Sequence, residues 1–202
     1  MNLFATFAIG YLLGSIPFGF LIARFAGVRD IRRTGSGNIG ATNITRTVGI
    51  LPGIATLLLD GGKGALAVWI AGHWGHGIAP PVIFAGLAAI LGHMYPVWLR
   101  FRGGRGVATA IGVFLMIGPW AVLADLALWL AVMLIWRYAS LSSILWAAAL
   151  PLAMYWLYVP GEHPSPDITV GTVLAAIFII WRHRENLRRL VEGTEPRFTW
   201  HH

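Results

Sequence analysis

Cysteine is missing altogether from this 202-residue chain. Its absence excludes disulfides, thiolate metal sites and cysteine acyl-enzyme chemistry, so any covalent intermediate would need another nucleophile. Charge is scarce as well. Only 11% of residues are charged, with 8 acids against 15 Lys and Arg, while 57% are hydrophobic and the mean hydropathy is +0.70. A soluble domain of this size is not so apolar, so the composition describes an integral membrane protein. The first apolar run, Leu3 to Ile22, has no basic stretch before it and no small-residue cleavage pattern after it, so it reads as a retained span. A net charge of +7 does not point to nucleic acid, because the bases occupy short loops between apolar segments without interleaved aromatics. His73 and His76 share a turn with no third ligand nearby, so no metal is expected. No internal repeat, low-complexity segment or second domain is visible, and residues 1–202 are read as one domain with no cofactor.

A spanning helix takes roughly 20 mostly apolar residues, fewer where protein shelters it. Span one is Leu3 to Ile22, with a kink expected among Gly14, Ser15, Pro17 and Gly19. Span two, about Val48 to Gly72, is expected to be interrupted at Asp60-Gly61-Gly62-Lys63, and span three runs from about Pro80 to Leu99. Val107 to Pro119 is short and should stop at Gly118-Pro119, either as a brief fourth helix or as part of a re-entrant hairpin. Trp120 to Trp136, Leu145 to Val159 and Ile168 to Trp181 complete the set, with a turn expected over Arg137 to Ser142. The fold class is therefore all-α, a polytopic protein of seven transmembrane helices. Of the 15 Lys and Arg residues, 14 lie in the loops after spans one, three, five and seven, Lys63 being the exception. By the positive-inside bias the N-terminus is outside, the C-terminus is cytoplasmic, and the polar islands meet at the cytoplasmic face. Tryptophans, 10 in all, fit an interfacial belt.

Three polar islands stand out of this oil. Gly35 to Arg46 is glycine-rich, and Ser36, Asn38, Thr42, Asn43 and Arg46 add donors suited to phosphate oxygens around backbone that a ligand can approach closely. Arg100 to Thr109 carries Arg102, Gly103, Gly104, Arg105 and Gly106, and Arg182 to Arg189 carries His183 and Asn186 at a spacing of one helical turn. Two glycine-rich polar loops with arginines opening onto a bilayer suit phosphate-bearing ligands. Asp60 and Lys63, charges inside a span, fit either a structural ion pair or a site contribution. His93 fits either a hydrogen-bonded packing group or a ligand contact.

Gly35 to Arg46, Gly92 to Gly106 and Arg182 to Asn186 together resemble the three signature blocks of the bacterial acyl-phosphate-dependent glycerol-3-phosphate acyltransferases, and the likeness runs over nearly the whole chain. The resemblance implies transfer of a fatty acyl chain from acyl phosphate to the 1-hydroxyl of glycerol 3-phosphate, giving lysophosphatidic acid and inorganic phosphate, at the bacterial cytoplasmic membrane. It implies phosphate binding by Gly35, Gly37, Asn38, Asn43, Arg46, Arg102, Gly103, Gly104 and Arg105, and catalytic positions at Ser36, His183 and Asn186. His93, Asp60 and Lys63 are secondary candidates. The second block departs from the family pattern, since Arg102 and Arg105 stand where lysines are usual; charge is kept while a point cation becomes a planar fork. His183 can take the hydroxyl proton, or the acyl phosphate's own oxygen can; an already activated donor needs orientation more than a strong base. No histidine is followed five residues later by Asp, which separates the chain from acyltransferases of the His-x4-Asp type. The other reading is a small anion or phosphate transporter, which broken spans and intramembrane charges would also suit.

Overall fold

The computed structural model describes residues 2–74 and 79–198. His76 and most of the turn before span three lie outside those residues. Among the described residues the chain is helical, with ten α-helices, two 3-10 turns and no strand. It forms two compact units, Met1–Met116 and Ile117–His202.

In the first unit, α1 (Leu3–Ser15) is capped by Asn2, whose side chain accepts from the Ala5 N–H at 2.8 Å. It stops at Ile16 because Pro17 has no N–H and its ring blocks another turn, and the chain resumes as α2 (Phe18–Phe25). The expected kink is thus a full break. After a loop come α3 (Ala41–Thr47), α4 (Ile50–Trp74), α5 (Ala79–Met94) and α6 (Val107–Ile117). Glycine sets how closely these pack. A Cβ on Gly10 would meet the Ala85 carbonyl, one on Gly14 the Ala89 carbonyl, and one on Gly92 the Tyr11 carbonyl, so α1 and α5 touch backbone to backbone. The Tyr11 hydroxyl closes that seam by donating to the Tyr95 carbonyl at 2.7 Å.

The expected interruption of span two is corrected by α4, which runs unbroken through Asp60, Gly61, Gly62 and Lys63. Gly61 and Gly64 serve packing rather than a break. The Gly61 carbonyl lies where a Cβ on Gly112 of α6 would go, and the Thr109 carbonyl where one on Gly64 would go. The helix tolerates glycine because in lipid its backbone groups have no better partner than each other.

In the second unit, α7 (Pro119–Trp136) starts with proline at its first position after Gly118, as the Gly-Pro pair predicts. It ends at Arg137 in the left-handed region, φ 60°. The turn expected as far as Ser142 is shorter, since α8 spans Ala139–Leu157. Its early serines do not break it, because Ser142 and Ser143 donate back to the carbonyls of Tyr138 and Ala139, at 3.1 and 2.7 Å. Then follow α9 (Pro166–Arg182), opened by Ser165 and Pro166, and α10 (Arg184–Val191).

Among the described residues five segments are long and apolar enough to cross a membrane: Leu3–Phe25, Ile50–Trp74, Pro80–Leu99, Pro119–Trp136 and Ala139–Leu157. α6 is a shorter apolar helix of 11 residues, and α9 has 17. Leu51, Leu58, Ile135, Leu152 and Trp156 are exposed on helix surfaces, as lipid-facing side chains are. Trp146 is fully buried in α8.

Candidate functional site

The first island is built around one amide. Asn43, on α3 and only 1% exposed, accepts the Ser36 N–H on Oδ1 at 2.8 Å, while its Nδ2 donates to the carbonyls of Asn38 at 2.8 Å and Thr34 at 3.1 Å. Asn43, expected as a phosphate contact, is turned into the loop in this structure. Its donors are spent on the loop, whose curvature they hold. Gly35 and Gly37 take the left-handed backbone, φ 58° and 71°, and a Cβ on Gly35 would strike Asn43 Oδ1. Beneath the loop, Ile31, Ile39 and Ile44 pack with Ala23 and Leu99 into a closed apolar cluster. Ser36, Asn38 and Arg46 remain half-exposed above it, with Gly35 and Gly37 exposed beside them. At the loop's start Arg32 holds Asp30 through two contacts of 2.9 Å, and that hydrogen bonding lowers the Asp30 carboxyl to about 2.

The second island folds back onto the end of α5. Arg100 and Phe101 both take left-handed backbone, φ 52° and 61°, and the Phe101 N–H returns to the Pro96 carbonyl at 3.0 Å. The Gly103 and Gly104 N–H groups then donate to the carbonyls of Met94 and His93, at 3.1 and 3.0 Å. Neither position has room for a side chain. A Cβ on Gly103 would meet the His93 carbonyl and Pro96, and one on Gly104 would meet His93 Nε2. Arg102 is exposed and Arg105 half-buried at the loop's outer turn.

Behind this loop lies a buried charged chain. Lys63 Nζ is 2.8 Å from Asp60 Oδ1, and His93 Nδ1 is 3.5 Å from the same oxygen. Lys63 also donates to the Ile16 carbonyl at 2.7 Å, satisfying a group exposed by the α1–α2 break. Asp60 and Lys63 thus form the ion pair that is one of the two expectations for them. Neutralising a buried carboxylate this way is necessary rather than stabilising, since removal of one partner of such a pair costs about 3–5 kcal/mol.

In the second unit, His183 separates α9 from α10, so the two helices are not one continuous span. It is 2% exposed, and its Nδ1 faces the Ile179 carbonyl at 2.8 Å. A carbonyl accepts only, so the proton of neutral His183 is on Nδ1 and the lone pair on Nε2. Asn186, 1% exposed in the first turn of α10, donates to Glu195 Oε1 at 2.7 Å, and Arg189 Nε donates to Oε2 at 2.7 Å. Asn186 Oδ1 is buried and finds no hydrogen-bond partner among the described residues. Burial raises the Glu195 carboxyl, and hydrogen bonds from its neighbours, Asn186 and Arg189 among them, outweigh it and leave the group below its ordinary value. The Phe198 N–H donates to the Arg137 carbonyl at 2.7 Å, and the Phe198 carbonyl accepts from Arg137 Nε at 3.2 Å, so the tail returns to the end of α7. Sequence reasoning missed Glu195, which lies nine residues beyond Asn186. No helical periodicity links them, and only the acid's place after a Gly-Thr turn hinted at a return.

These features can be set beside known proteins. A family model described as "Glycerol-3-phosphate acyltransferase" matches residues 4–193. A glycerol-3-phosphate acyltransferase of Geobacter sulfurreducens is 51% identical over 191 residues, covering 95% of each chain. One of Rhizobium meliloti is 50% identical over 194 residues, covering 96% of this chain and 91% of that one. Two solved structures are of PlsY (YgiH), an integral membrane glycerol 3-phosphate acyltransferase. The glycerol 3-phosphate form has a TM-score of 0.89 at 42% identity, covering 98% of this chain and 96% of that chain. The lysophosphatidic acid form has a TM-score of 0.87 at 41% identity, with the same coverage.

Proposed function

Because the chain belongs to the glycerol-3-phosphate acyltransferase family, we propose that it transfers a fatty acyl group from acyl phosphate to the 1-hydroxyl of glycerol 3-phosphate, forming lysophosphatidic acid and inorganic phosphate in the first acylation of phospholipid synthesis. The observation that carries the reading is the pair of solved PlsY (YgiH) structures with the same fold, one in a glycerol 3-phosphate form and one in a lysophosphatidic acid form, acceptor and product of one reaction. The choice of donor rests on chemistry. With no cysteine and no His-x4-Asp motif, a donor that is already a mixed anhydride asks least of the protein.

The transfer is direct. The 1-hydroxyl oxygen attacks the acyl carbonyl carbon, the bond from that carbon to the phosphate oxygen breaks, and phosphate leaves with the electron pair. The hydroxyl proton passes to His183 Nε2 or to the departing phosphate. Ser36, Asn38, Arg46 and Arg105 bind phosphate, with Gly35, Gly37, Gly103 and Gly104 clearing the approach and Arg102 adding charge at the rim. Asn186 assists at the reacting carbonyl.

The family match and the relatives' near-complete coverage support reading 1–202 as one acyltransferase domain. Seven crossings follow if α6 and α9 join the five longer segments. α9 rises about 26 Å and α6 about 17 Å, so α6 needs protein around it to serve as a span. The charge asymmetry of the loops supports an outside N-terminus, a cytoplasmic C-terminus and a site on the cytoplasmic face of the inner membrane.

The test is phosphate release by the purified protein in detergent or lipid, given palmitoyl phosphate with and without glycerol 3-phosphate. Release that needs both substrates, yields lysophosphatidic acid and falls at least about 100-fold in Ser36→Ala and Asn186→Ala is expected. Acylation from acyl-CoA but not from palmitoyl phosphate would overturn the donor assignment.

A further inference from the structure

The buried chain in the first unit joins places that neither its charge nor its packing requires to be joined. Lys63 reaches the Ile16 carbonyl at the α1–α2 break, Asp60 faces both Lys63 and His93, and the far side of the His93 ring is where Gly104 lies against Nε2. Lys63 and Asp60 are on α4 and His93 on α5, so three helical segments and the second island are held by one line of polar groups. The backbone around His93 belongs to the same line, since its carbonyl accepts the Gly104 N–H at 3.0 Å. A salt bridge meant only to neutralise two buried charges would need neither the histidine nor the glycine.

We infer that Asp60, Lys63 and His93 are positioning residues, which set the Gly103-Gly104-Arg105 turn through the His93 ring and so fix where Arg105 meets phosphate. The assignment of Arg105 to phosphate rests on the function proposed above; the mechanical link from His93 to the turn does not. Asp60 Oδ1 faces Nδ1 at 3.5 Å, and Nε2 lies on the side of the loop, against Gly104. Lys63 keeps the Asp60 carboxylate charged and in place. In this role the three act through the loop rather than on the substrate. A misplaced phosphate cradle weakens ground state and transition state alike, so the kinetic signature is a raised KM with kcat largely kept.

The experiment compares His93→Leu, His93→Gln and the double variant Asp60→Leu/Lys63→Met, which removes both charges together so that no lone buried ion is left. Kinetics with palmitoyl phosphate should show KM for glycerol 3-phosphate raised about tenfold in His93→Leu and the double variant, with kcat within about threefold. His93→Gln keeps a donor and an acceptor at this position and should recover most of the KM. A fall in kcat at unchanged KM would overturn the proposal by making His93 part of the chemistry, and unchanged values for both would reduce the chain to packing. A second readout does not depend on activity. Since the chain has no cysteine, Arg102→Cys gives a single nitroxide site on the exposed turn. Its electron paramagnetic resonance spectrum should sharpen toward mobile motion when His93→Leu is added. The same spectrum in both backgrounds would overturn the link whatever the substrate proves to be, whereas sharpening in a protein with no acyltransferase activity would sustain the link and sink the function.

Discussion

The two compact units end in polar structures made by opposite means. In the first, the islands are shaped by backbone: glycines at left-handed or crowded positions, with buried side chains turned inward to hold them. In the second, the polar end is shaped by side chains, a carboxylate on a returning tail gripping an asparagine and an arginine of a short helix. The difference teaches what each can tolerate. A backbone-shaped loop admits a change in the shape of a charged group, as arginine for lysine at Arg102 and Arg105, but no change of volume at its glycines. A side-chain clamp admits changes of volume around it but depends on the protonation of one acid.

The sharpest contrast comes from adding a single methyl group. Gly104→Ala should cut the rate of phosphate release by about 100-fold or more, because the new Cβ falls on His93 Nε2. Gly62→Ala, where a Cβ meets nothing, should stay within about twofold and help α4 slightly. Equal losses at both would break the claim that local crowding decides.

Asn43→Ala tests whether the first loop is held from inside. It orphans the Ser36 N–H and the Asn38 carbonyl and takes one of two donors from the Thr34 carbonyl, and should lower unfolding stability in detergent by about 2–3 kcal/mol. Thermal unfolding followed by tryptophan fluorescence reads the loss. A variant as stable as the wild type, with only KM raised, would return Asn43 to the role of a phosphate ligand.

The smallest effect is the titration of Glu195. Its folded pKa is lowered, so the stability it contributes is present above its unfolded value of about 4.5 and is lost as pH falls through the folded one. Proteolysis of the C-terminal tail should therefore quicken as pH drops below about 4.5, by less than tenfold. Glu195→Gln should flatten that dependence, and an identical pH profile in the variant would show the clamp to be something other than this carboxylate.

Hydropathy made the spans legible because lipid allows no other arrangement of backbone polar groups than a helix or closed barrel, and Gly118-Pro119 stops a helix wherever it occurs. It also misled at Asp60 to Lys63, where two glycines between charges look like a break. For Gly61 the partner helix α6 supplies the reason, and that reason is tertiary, whereas a Cβ on Gly62 would meet nothing. The serines after Tyr138 misled for the same cause, since a hydroxyl that bonds back to its own helix cannot be told in sequence from one that ends it. At the islands the residue types were legible and the directions were not. Asn43 was read as a ligand because asparagine in a glycine loop suits phosphate, yet its amide points into the loop; Glu195 drew no notice because a return of the tail leaves no period. Arg105, His183 and Asn186 are proposed from the blocks they sit in, and the kinetics of their variants test them.

The α1–α5 seam bears on how the chain is made. Gly10, Gly14 and Gly92 bring together the first and third apolar segments, about 80 residues apart in a chain synthesised at roughly 5–20 residues per second. For several seconds the first segment must wait in the membrane with its glycine face uncovered and the Ile16 carbonyl without its lysine. Lys63 arrives first, and the seam can close only once Gly92 has followed it in. The order of synthesis thus places the ion pair ahead of the packing it helps to hold.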